Sequence, residues 1–162
     1  MVRKSLMLAG VLLAASGTTA FAGADLMPDA GNLISGGEAA VINNGDAASG
    51  PSHLIIVCKK TSGPGGCAED AGMAAYASPA YPNAVVIDVP ALEPGESYAH
   101  VLAFWDALVW PVGTYKLTLT ADAGQEVAED SERNNKTSAT KMELALKAPG
   151  KTPTPNRVSA QP

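Results

Sequence analysis

One segment of the chain, residues 114–121, constrains the fold more than any other, because apolar and polar residues alternate along it without interruption. The polar positions are threonine and lysine, and the apolar positions are Tyr115, Leu117, Leu119 and Ala121. Successive side chains of a β-strand point to opposite faces of its sheet. The pattern therefore predicts a strand with one buried face and one face in water.

Six further segments are predicted to form strands. Residues 54–58 and 85–89 are short continuous apolar runs rich in β-branched residues, which favours central strands. Residues 39–43 and 98–105 provide two more, and residues 26–33 are expected to form a weak edge strand. The final strand repeats the alternation, with lysine and glutamate on one face and Thr140, Met142, Leu144 and Leu146 on the other.

Turn residues separate these strands. Asn43-Asn44-Gly45-Asp46 follows the second strand, and asparagine and glycine tolerate the positive φ values that tight turns require. Glu93-Pro94-Gly95-Glu96 has proline and glycine at the central positions that a type II turn favours. No segment has the period of a long amphipathic helix. About seven short strands with turns at this spacing predict an all-β antiparallel β-sandwich.

The first residues predict a cleavable export signal. Arg3 and Lys4 precede an apolar run at 6–15, and Ala20-Phe21-Ala22 provides small residues at the two positions that a signal peptidase recognises. The run is too short to span a bilayer, which takes about 20 residues. We therefore expect residues 1–22 to be removed, and the rest to be periplasmic or secreted without membrane insertion.

The charge of the exported part makes nucleic acid an unlikely partner. Residues 1–22 hold two of the eleven basic residues and none of the sixteen acids, so their removal changes the formal net charge from −5 to −7. Binding to a phosphate backbone depends on Lys and Arg, and so does electrostatic docking on an anionic membrane. We expect neither. Lys59-Lys60 is the one adjacent basic pair after residue 22, and it is predicted to be solvated.

An acidic turn ending in two asparagines follows the alternating strand. A connection between two core strands leaves amide and carbonyl groups unpaired, and the side chains of Asn134 and Asn135 offer donors and acceptors for them. The alternative is a calcium site, because calcium binds six to eight oxygens and this turn is dense in carboxylates. The spacing does not match an EF-hand loop. The candidate ligands are Asp122, Glu126, Glu129, Asp130 and Glu132.

Several of these motifs, taken in order, resemble the CARDB module, a cell-adhesion-related domain found in bacteria. They are the turn at 43–47, the segment 92–97 before a strand that ends in Phe104-Trp105, the strand at 113–122 and the acidic turn at 129–135. The resemblance extends over residues 23–147 and implies an immunoglobulin-like sandwich. Residues 59–82 depart from it, because they are longer and richer in Gly, Ala and Pro than a compact module needs.

The two cysteines have two interpretations. An even number of cysteines in an exported protein predicts a disulfide, here between Cys58 and Cys67. The alternative is a zinc or copper site that combines them with His53 and His100. Neither the Cys-x2-4-Cys nor the His-x3-5-His spacing of such sites is present.

No catalytic motif is found. The chain has no Gly-x-Ser-x-Gly elbow, no His-Glu-x-x-His motif and no glycine-rich phosphate loop. A triad would have to place His53 or His100 beside Ser52, Ser97 or Cys58, and nothing in their spacing selects such a set. We expect no enzyme activity, no catalytic residues and no cofactor.

Trp105 and Trp110 have a binding and a packing interpretation. Two tryptophans can form an aromatic platform for a sugar. The competing prediction, which we favour, is that Trp105 packs in the core and that Trp110-Pro111 braces the loop before Gly113.

The resemblance and the missing motifs together predict a non-enzymatic binding or adhesion-type module. It would present loops and sheet edges to a protein or polysaccharide at the cell envelope. The alternative is a small periplasmic protein that binds calcium, zinc or copper. After residue 147 the chain becomes rich in proline, and this tail is predicted to be disordered.

Overall fold

The computed structural model describes residues 23–145 of the chain, which form a β-sandwich of two antiparallel sheets with three and four strands. This confirms the predicted fold class. The predicted export signal at 1–22, the proline-rich tail and Leu146 of the last predicted strand lie outside the described residues.

The smaller sheet has the order β1-β2-β5. Its strands are β1 (Leu26–Asp29), β2 (Glu38–Asn43) and β5 (Ser97–Val101). Leu26 pairs with Asn43, and Val41 pairs with Tyr98. The weak edge strand predicted at 26–33 is therefore shorter, because the chain turns after Asp29 and Leu33 begins a short helix.

The larger sheet has the order β4-β3-β6-β7. Its strands are β3 (Ser52–Ser62), β4 (Val85–Val89), β6 (Gly113–Thr120) and β7 (Lys136–Glu143). Ile56 lies between Val85 and Leu119 in the register of the three neighbouring strands. The apolar run predicted at 54–58 is the central part of a strand that continues to Ser62.

Helical structure within the described residues is short. Helix α1 spans Leu33–Gly36, and two 3-10 helices span Ala71–Tyr76 and Trp105–Ala107. The strand predicted at 98–105 ends at Val101, and Trp105 starts the second 3-10 helix. No helix between residues 23 and 145 is long and apolar enough to cross a membrane.

The core lies between the two sheets. The alternation gives the predicted result, because all four predicted inward residues, three in β6 and Ala121 just beyond it, are buried and none is more than 2 % exposed. Leu117, Leu119 and Ala121 pack with buried residues of the other strands, among them Leu26, Val41, Leu54 and Ile87. The period-2 pattern thus identified the inner face of β6, which is one of the two central strands of the larger sheet.

The same reasoning was wrong for the face of β7. Met142 is 64 % exposed and Leu144, just beyond the strand, is 71 % exposed. In the register of the sheet Tyr115 pairs with Lys141, and paired residues of neighbouring strands share a face. Because Tyr115 points into the core, Lys141 points inward too, and Met142 points outward. The Lys141 ammonium lies 5.4 Å from the centroid of the Trp110 ring.

The two predicted turns differ in outcome. Gly95 has a φ of 77°, and the Glu96 amide donates to the Glu93 carbonyl at 2.9 Å, which is the expected proline-glycine turn. In the turn after β2 no residue from 43 to 46 has a positive φ. There the side chain of Asn43, and not a left-handed backbone, holds the turn.

Candidate functional site

The strand ends divide the loops of the sandwich into two sets at opposite ends. The acidic end consists of the connections 44–51, 90–96 and 121–135, and the aromatic end consists of the connections 30–37, 63–84 and 102–112. The predicted calcium ligands and the paired asparagines lie at the acidic end. The disulfide and both tryptophans belong to the aromatic end.

At the acidic end the carboxylates accept hydrogen bonds from the protein itself. Buried Asp122, which has a φ of 42°, accepts from the amides of Glu126 and Val127 at 2.9 and 3.2 Å. Glu129 accepts from the Leu26 amide and from Asn135 Nδ2. Glu132 accepts from Asn135 Nδ2 at 3.0 Å. These bonds tie the turn to the start of β1 and close it upon itself.

Burial is the main reason why the pKa of Glu129 is raised above its usual value. The negative charges of Glu132 and Asp122 raise the pKa further, and the hydrogen bonds from Leu26 and Asn135 oppose the shift. The group is thus held by hydrogen bonds in a place that disfavours its charge.

The paired asparagines act on carboxylates rather than on the backbone of the turn. Asn134 Nδ2 donates to Asp25 Oδ1 at 2.7 Å, and Asn135 Nδ2 bridges Glu129 and Glu132. Their Oδ1 atoms are buried and have no hydrogen-bond partner among residues 23–145. Both side chains therefore offset part of the repulsion between the carboxylates of a compact acidic turn. The sequence had predicted that they bond backbone groups instead.

Asn134→Ala and Asn135→Ala are each expected to lower the free energy of unfolding by about 1 to 3 kcal/mol, because each removes a hydrogen-bond donor from one or two carboxylates. Thermal and denaturant unfolding of the purified variants measures the effect. Arg133→Ala, an exposed neighbour in the same turn, is the matched control. Two asparagine variants that unfold like the parent protein would contradict the role described above.

The structure does not assemble the proposed zinc or copper ligands. Cys58 and Cys67 form a disulfide. His53 contacts Glu126 and Asp88 near the acidic end, whereas His100 lies on β5 between the hydroxyl groups of Tyr76 and Tyr98. Within residues 23–145 no three His, Cys, Asp or Glu side chains are arranged to hold a metal ion.

The calcium hypothesis for Asp122, Glu126, Glu129, Asp130 and Glu132 makes a separate prediction. We expect removal of divalent ions to leave the melting temperature nearly unchanged, because several of these carboxylates already accept N–H groups. A site saturated at about 100 times its dissociation constant would add about 2.7 kcal/mol. A rise of several degrees when calcium is added to chelated protein, absent in Glu132→Gln, would refute the prediction.

Neither histidine is hydrogen-bonded to one of the candidate nucleophiles in the described part of the chain. Among the hydrogen bonds of the described residues, none joins His53 or His100 to Ser52 or Ser97, and Cys58 is part of the disulfide. The aromatic network around His100 is instead structural. The Tyr76 ring packs edge-on against His100 and Phe104, at centroid distances of 5.6 and 5.3 Å, which anchors the first 3-10 helix on the smaller sheet.

The disulfide fixes the connection at 63–84 to the larger sheet. The Cα atoms of Cys58 and Cys67 lie 6.3 Å apart, and the half-buried Cys58 packs against the core. Between them the chain reverses at Gly63, whose φ is 87° and whose position for a Cβ lies 2.5 Å from the Val112 carbonyl oxygen. A larger residue there would collide with the backbone.

Replacing both Cys58 and Cys67 with alanine is expected to lower the free energy of unfolding by at most about 3 kcal/mol, the entropic value for so short a loop. Unfolding of the parent and the double variant measures the loss. Reduction of the parent should reproduce it. Intact mass of the untreated parent should lack the two thiol hydrogens, and two freely alkylated thiols in natively folded protein would contradict the pairing.

The tryptophans pack rather than form a flat platform. The centroids of Trp105 and Trp110 are 5.6 Å apart with the rings inclined at 59°, and Trp110 meets Tyr115 edge-on at 4.8 Å. Trp105 is buried in the core. This agrees with the packing interpretation and leaves no stacked pair of exposed rings for a sugar.

A cavity of about 470 Å³ opens at the aromatic end, next to these rings. The larger sheet contributes Ile56, Val85 and Leu117, and the connection after β5 contributes Phe104 and Trp105. The connection at 63–84 covers it with Met73, Ala74 and the disulfide. Sequence patterning did not predict this cavity, because its walls come from segments far apart in the chain.

An exposed apolar corner is the second feature that the sequence did not reveal. It consists of Val112, Met142 and Leu144, which are between 45 % and 71 % exposed. Thr114 pairs with Met142 and Gly113 with Glu143, so Val112 and Leu144 come next at the same corner of the larger sheet. β7 is an edge strand of that sheet, and its second side pairs with no strand among residues 23–145.

Comparison with known proteins gives a family match. The CARDB family model matches residues 63–139, from the turn after β3 into β7. The match includes most of the segment 59–82, which was expected to depart from the family pattern, and leaves β1, β2 and β3 outside. No curated protein gives a significant match.

A solved structure with a similar fold is the CARDB domain of a Pyrococcus furiosus protein in complex with di-metal ions. It is 15 % identical in sequence, and the alignment covers 79 % of this chain and 100 % of that chain with a TM-score of 0.46.

Proposed function

We propose that this chain, which carries a CARDB domain, a cell-adhesion-related bacterial domain, acts as a non-enzymatic binding module for a protein of the cell envelope. The domain does not belong to a known catalytic family. The matched family and the exposed apolar corner at the edge of β7 support the proposal, and the corner is the observation on which it depends.

The corner has the composition of a protein-binding surface. Single exposed apolar residues are common on soluble proteins, but contiguous ones mark interaction sites. Met142 and Leu144 lie on one face at the end of β7, beside Val112. Burying each of two such side chains against a partner contributes on the order of 1.5 to 3 kcal/mol, enough to dominate a modest affinity.

β7 pairs with no further strand among residues 23–145, so its edge can add backbone hydrogen bonding to this apolar contact. Helix α1 lies close to the same end of the strand. A partner segment can extend the sheet by pairing with an unpaired edge strand, while its side chains find alternate pockets. Exposed lysines commonly protect such edges. Lys141 does not protect this one, because its side chain turns inward over Trp110 and toward Glu143, at 3.7 Å.

A polysaccharide is the less suitable partner for this surface. Sugar sites stack pyranose faces on exposed aromatic rings. The corner offers aliphatic side chains and methionine, and the two tryptophans are packed against each other. The disulfide fits an oxidising compartment, so the proposed location is outside the cytoplasm, in the periplasm or in secreted form.

The test measures binding of the labelled protein to its native envelope fraction. Met142→Thr combined with Leu144→Thr removes the apolar surface and keeps β propensity, and binding should weaken about tenfold or more. Val101→Thr is the matched control, because Val101 is 60 % exposed on β5 of the other sheet. Equal binding by parent and double variant, or an equal loss in the control, would refute the proposal.

A second arm identifies the class of partner. Protease treatment of the envelope should abolish the binding that the double variant lacks. Binding that survives protease and disappears after digestion of the glycan would show a polysaccharide partner and would refute the proposed protein partner.

A further inference from the structure

We propose that the cavity at the aromatic end binds a small organic cation with an apolar body, such as an alkylamine or arylamine. This site lies between the larger sheet and the connections 63–84 and 102–112, and it is separate from the apolar corner at β7. The proposal therefore goes beyond the proposed function and does not depend on it.

The size of the cavity suits a small molecule. Its volume of about 470 Å³ falls within the range of roughly 300 to 1,000 Å³ that is usual for ligand sites. The inner part is apolar, with Ile56 and Leu117 on the sheet side and Phe104 on the opposite side. The aliphatic or aromatic part of a ligand would move from water into contact with these apolar side chains.

The cover of the cavity is held in place by covalent and packing contacts. The disulfide fixes Cys67 to β3, and the neighbouring Ala68 is buried. Tyr76 packs on Phe104 at the other end of the first 3-10 helix. A Cβ at Gly72 would lie 2.7 Å from Phe104 Cβ, so this helix sits directly on the wall. A preformed site loses less free energy on binding than one that must be ordered.

The charge of the lining selects the ligand. Glu69 and Asp70 are the ionisable groups among the lining residues, which include no Lys, Arg or His. Asp70 accepts the Gly72 amide through Oδ1, which orients its carboxylate at the start of the helix. An anionic ligand would meet two negative charges, whereas an ammonium group would find complementary ones.

The aromatic side chains of the lining add a second attraction for a cation. Phe104, Trp105 and Trp110 all border the cavity, and tryptophan has the strongest affinity of the aromatic residues for an ammonium group. Lys141 lies over the Trp110 ring, and its charge is paired with Glu143. The carboxylates and the aromatic side chains of the lining thus favour the same kind of ligand.

Intrinsic fluorescence is the direct test, because Trp105 and Trp110 are the two tryptophans of the chain and both line the cavity. Three probes share one apolar body: 4-phenylbutylamine, 4-phenylbutanol and 4-phenylbutyrate. Saturable change is expected with the amine at a dissociation constant about tenfold below that of the alcohol. The carboxylate should give none. Equal responses to all three probes, or none to the amine, would overturn the proposal.

Variants locate the binding. Glu69→Gln combined with Asp70→Asn should reduce the amine to the affinity of the alcohol, and both replacements keep an oxygen acceptor. Glu93→Gln, an exposed acid at the opposite end of the sandwich, is the charge control and should leave amine binding unchanged.

Ala74→Phe should fill the entrance and abolish binding of both the amine and the alcohol. Ala74 is exposed, so the melting temperature should stay near that of the parent. Undiminished amine binding by folded Ala74→Phe protein would place the amine elsewhere and refute the site. The Met142→Thr and Leu144→Thr double variant should bind the amine normally, which separates this proposal from the proposed function.

Discussion

Asn43→Ala is expected to lower the free energy of unfolding by about 3 to 5 kcal/mol, although it removes only a small polar side chain. Asn43 is completely buried. Its Oδ1 accepts from the amides of Asp25 and Gly45, each at 3.1 Å, and its Nδ2 donates to the carbonyls of Ala47 and Leu92 at 2.8 and 3.0 Å. Each backbone group left unpaired in the interior costs about 1 to 3 kcal/mol, with some recovery by relaxation.

Denaturant unfolding measures this loss. Asn44→Ala is the matched control, because Asn44 is exposed and its side chain makes one long contact of 3.5 Å with Asp25. Asn43→Asp should lose at least as much as Asn43→Ala at neutral pH, because the buried carboxylate would face the carbonyl oxygens of Ala47 and Leu92 without a donor. If Asn43→Ala and Asn44→Ala unfold alike, the turn after β2 is not held by the Asn43 side chain.

Tyr115→Ala is expected to cost about 3 to 5 kcal/mol, the usual range for removing a large aromatic side chain from a core. Tyr115 is fully buried and its ring packs edge-on against Trp110. The Lys60 ammonium lies 4.9 Å from the ring centroid, and the hydroxyl donates to the Pro111 carbonyl. The side chain thus joins β6 to the loop that precedes it.

Tyr115→Phe separates the ring from the hydroxyl. It should lose only about 1 kcal/mol, because packing is retained and one carbonyl loses its donor. Unfolding curves give both values, and tryptophan fluorescence should change in Tyr115→Ala as Trp110 loses its neighbour. A loss in Tyr115→Phe as large as in Tyr115→Ala would show that the hydroxyl, and not the ring, stabilises the loop.

Asn43 shows why the candidate site was only partly predictable. Its place in an Asn-Asn-Gly-Asp turn was visible, and the pattern correctly indicated that the chain turns there. Its partners Asp25 and Leu92 are far away in the sequence, and no local pattern indicates that they meet. The same holds for Asn134, whose partner Asp25 is 109 residues away in the sequence, whereas Asn135 bonds Glu129 and Glu132 of its own turn.

β7 shows a second limit of patterning. Its alternation predicted a strand correctly but predicted the wrong buried face. Lys141 points inward there and Met142 points outward. A lysine can point inward when its stem covers an aromatic ring and its charge finds a partner, as Lys141 does with Trp110 and Glu143. The exposed apolar corner is the direct consequence of that register.

Local patterning by itself determined the strands, the proline-glycine turn and the disulfide partners. Strand periodicity, turn chemistry and the pairing of two cysteines depend on residues close together in the chain, and the sandwich follows from their number. Only the tertiary structure decided which face of β7 is exposed, which groups the acidic turn is hydrogen-bonded to, and where a cavity remains between the larger sheet and the connections at the aromatic end. These features depend on strand register and on contacts between distant segments, such as Glu129 with Leu26 or Tyr76 with Phe104.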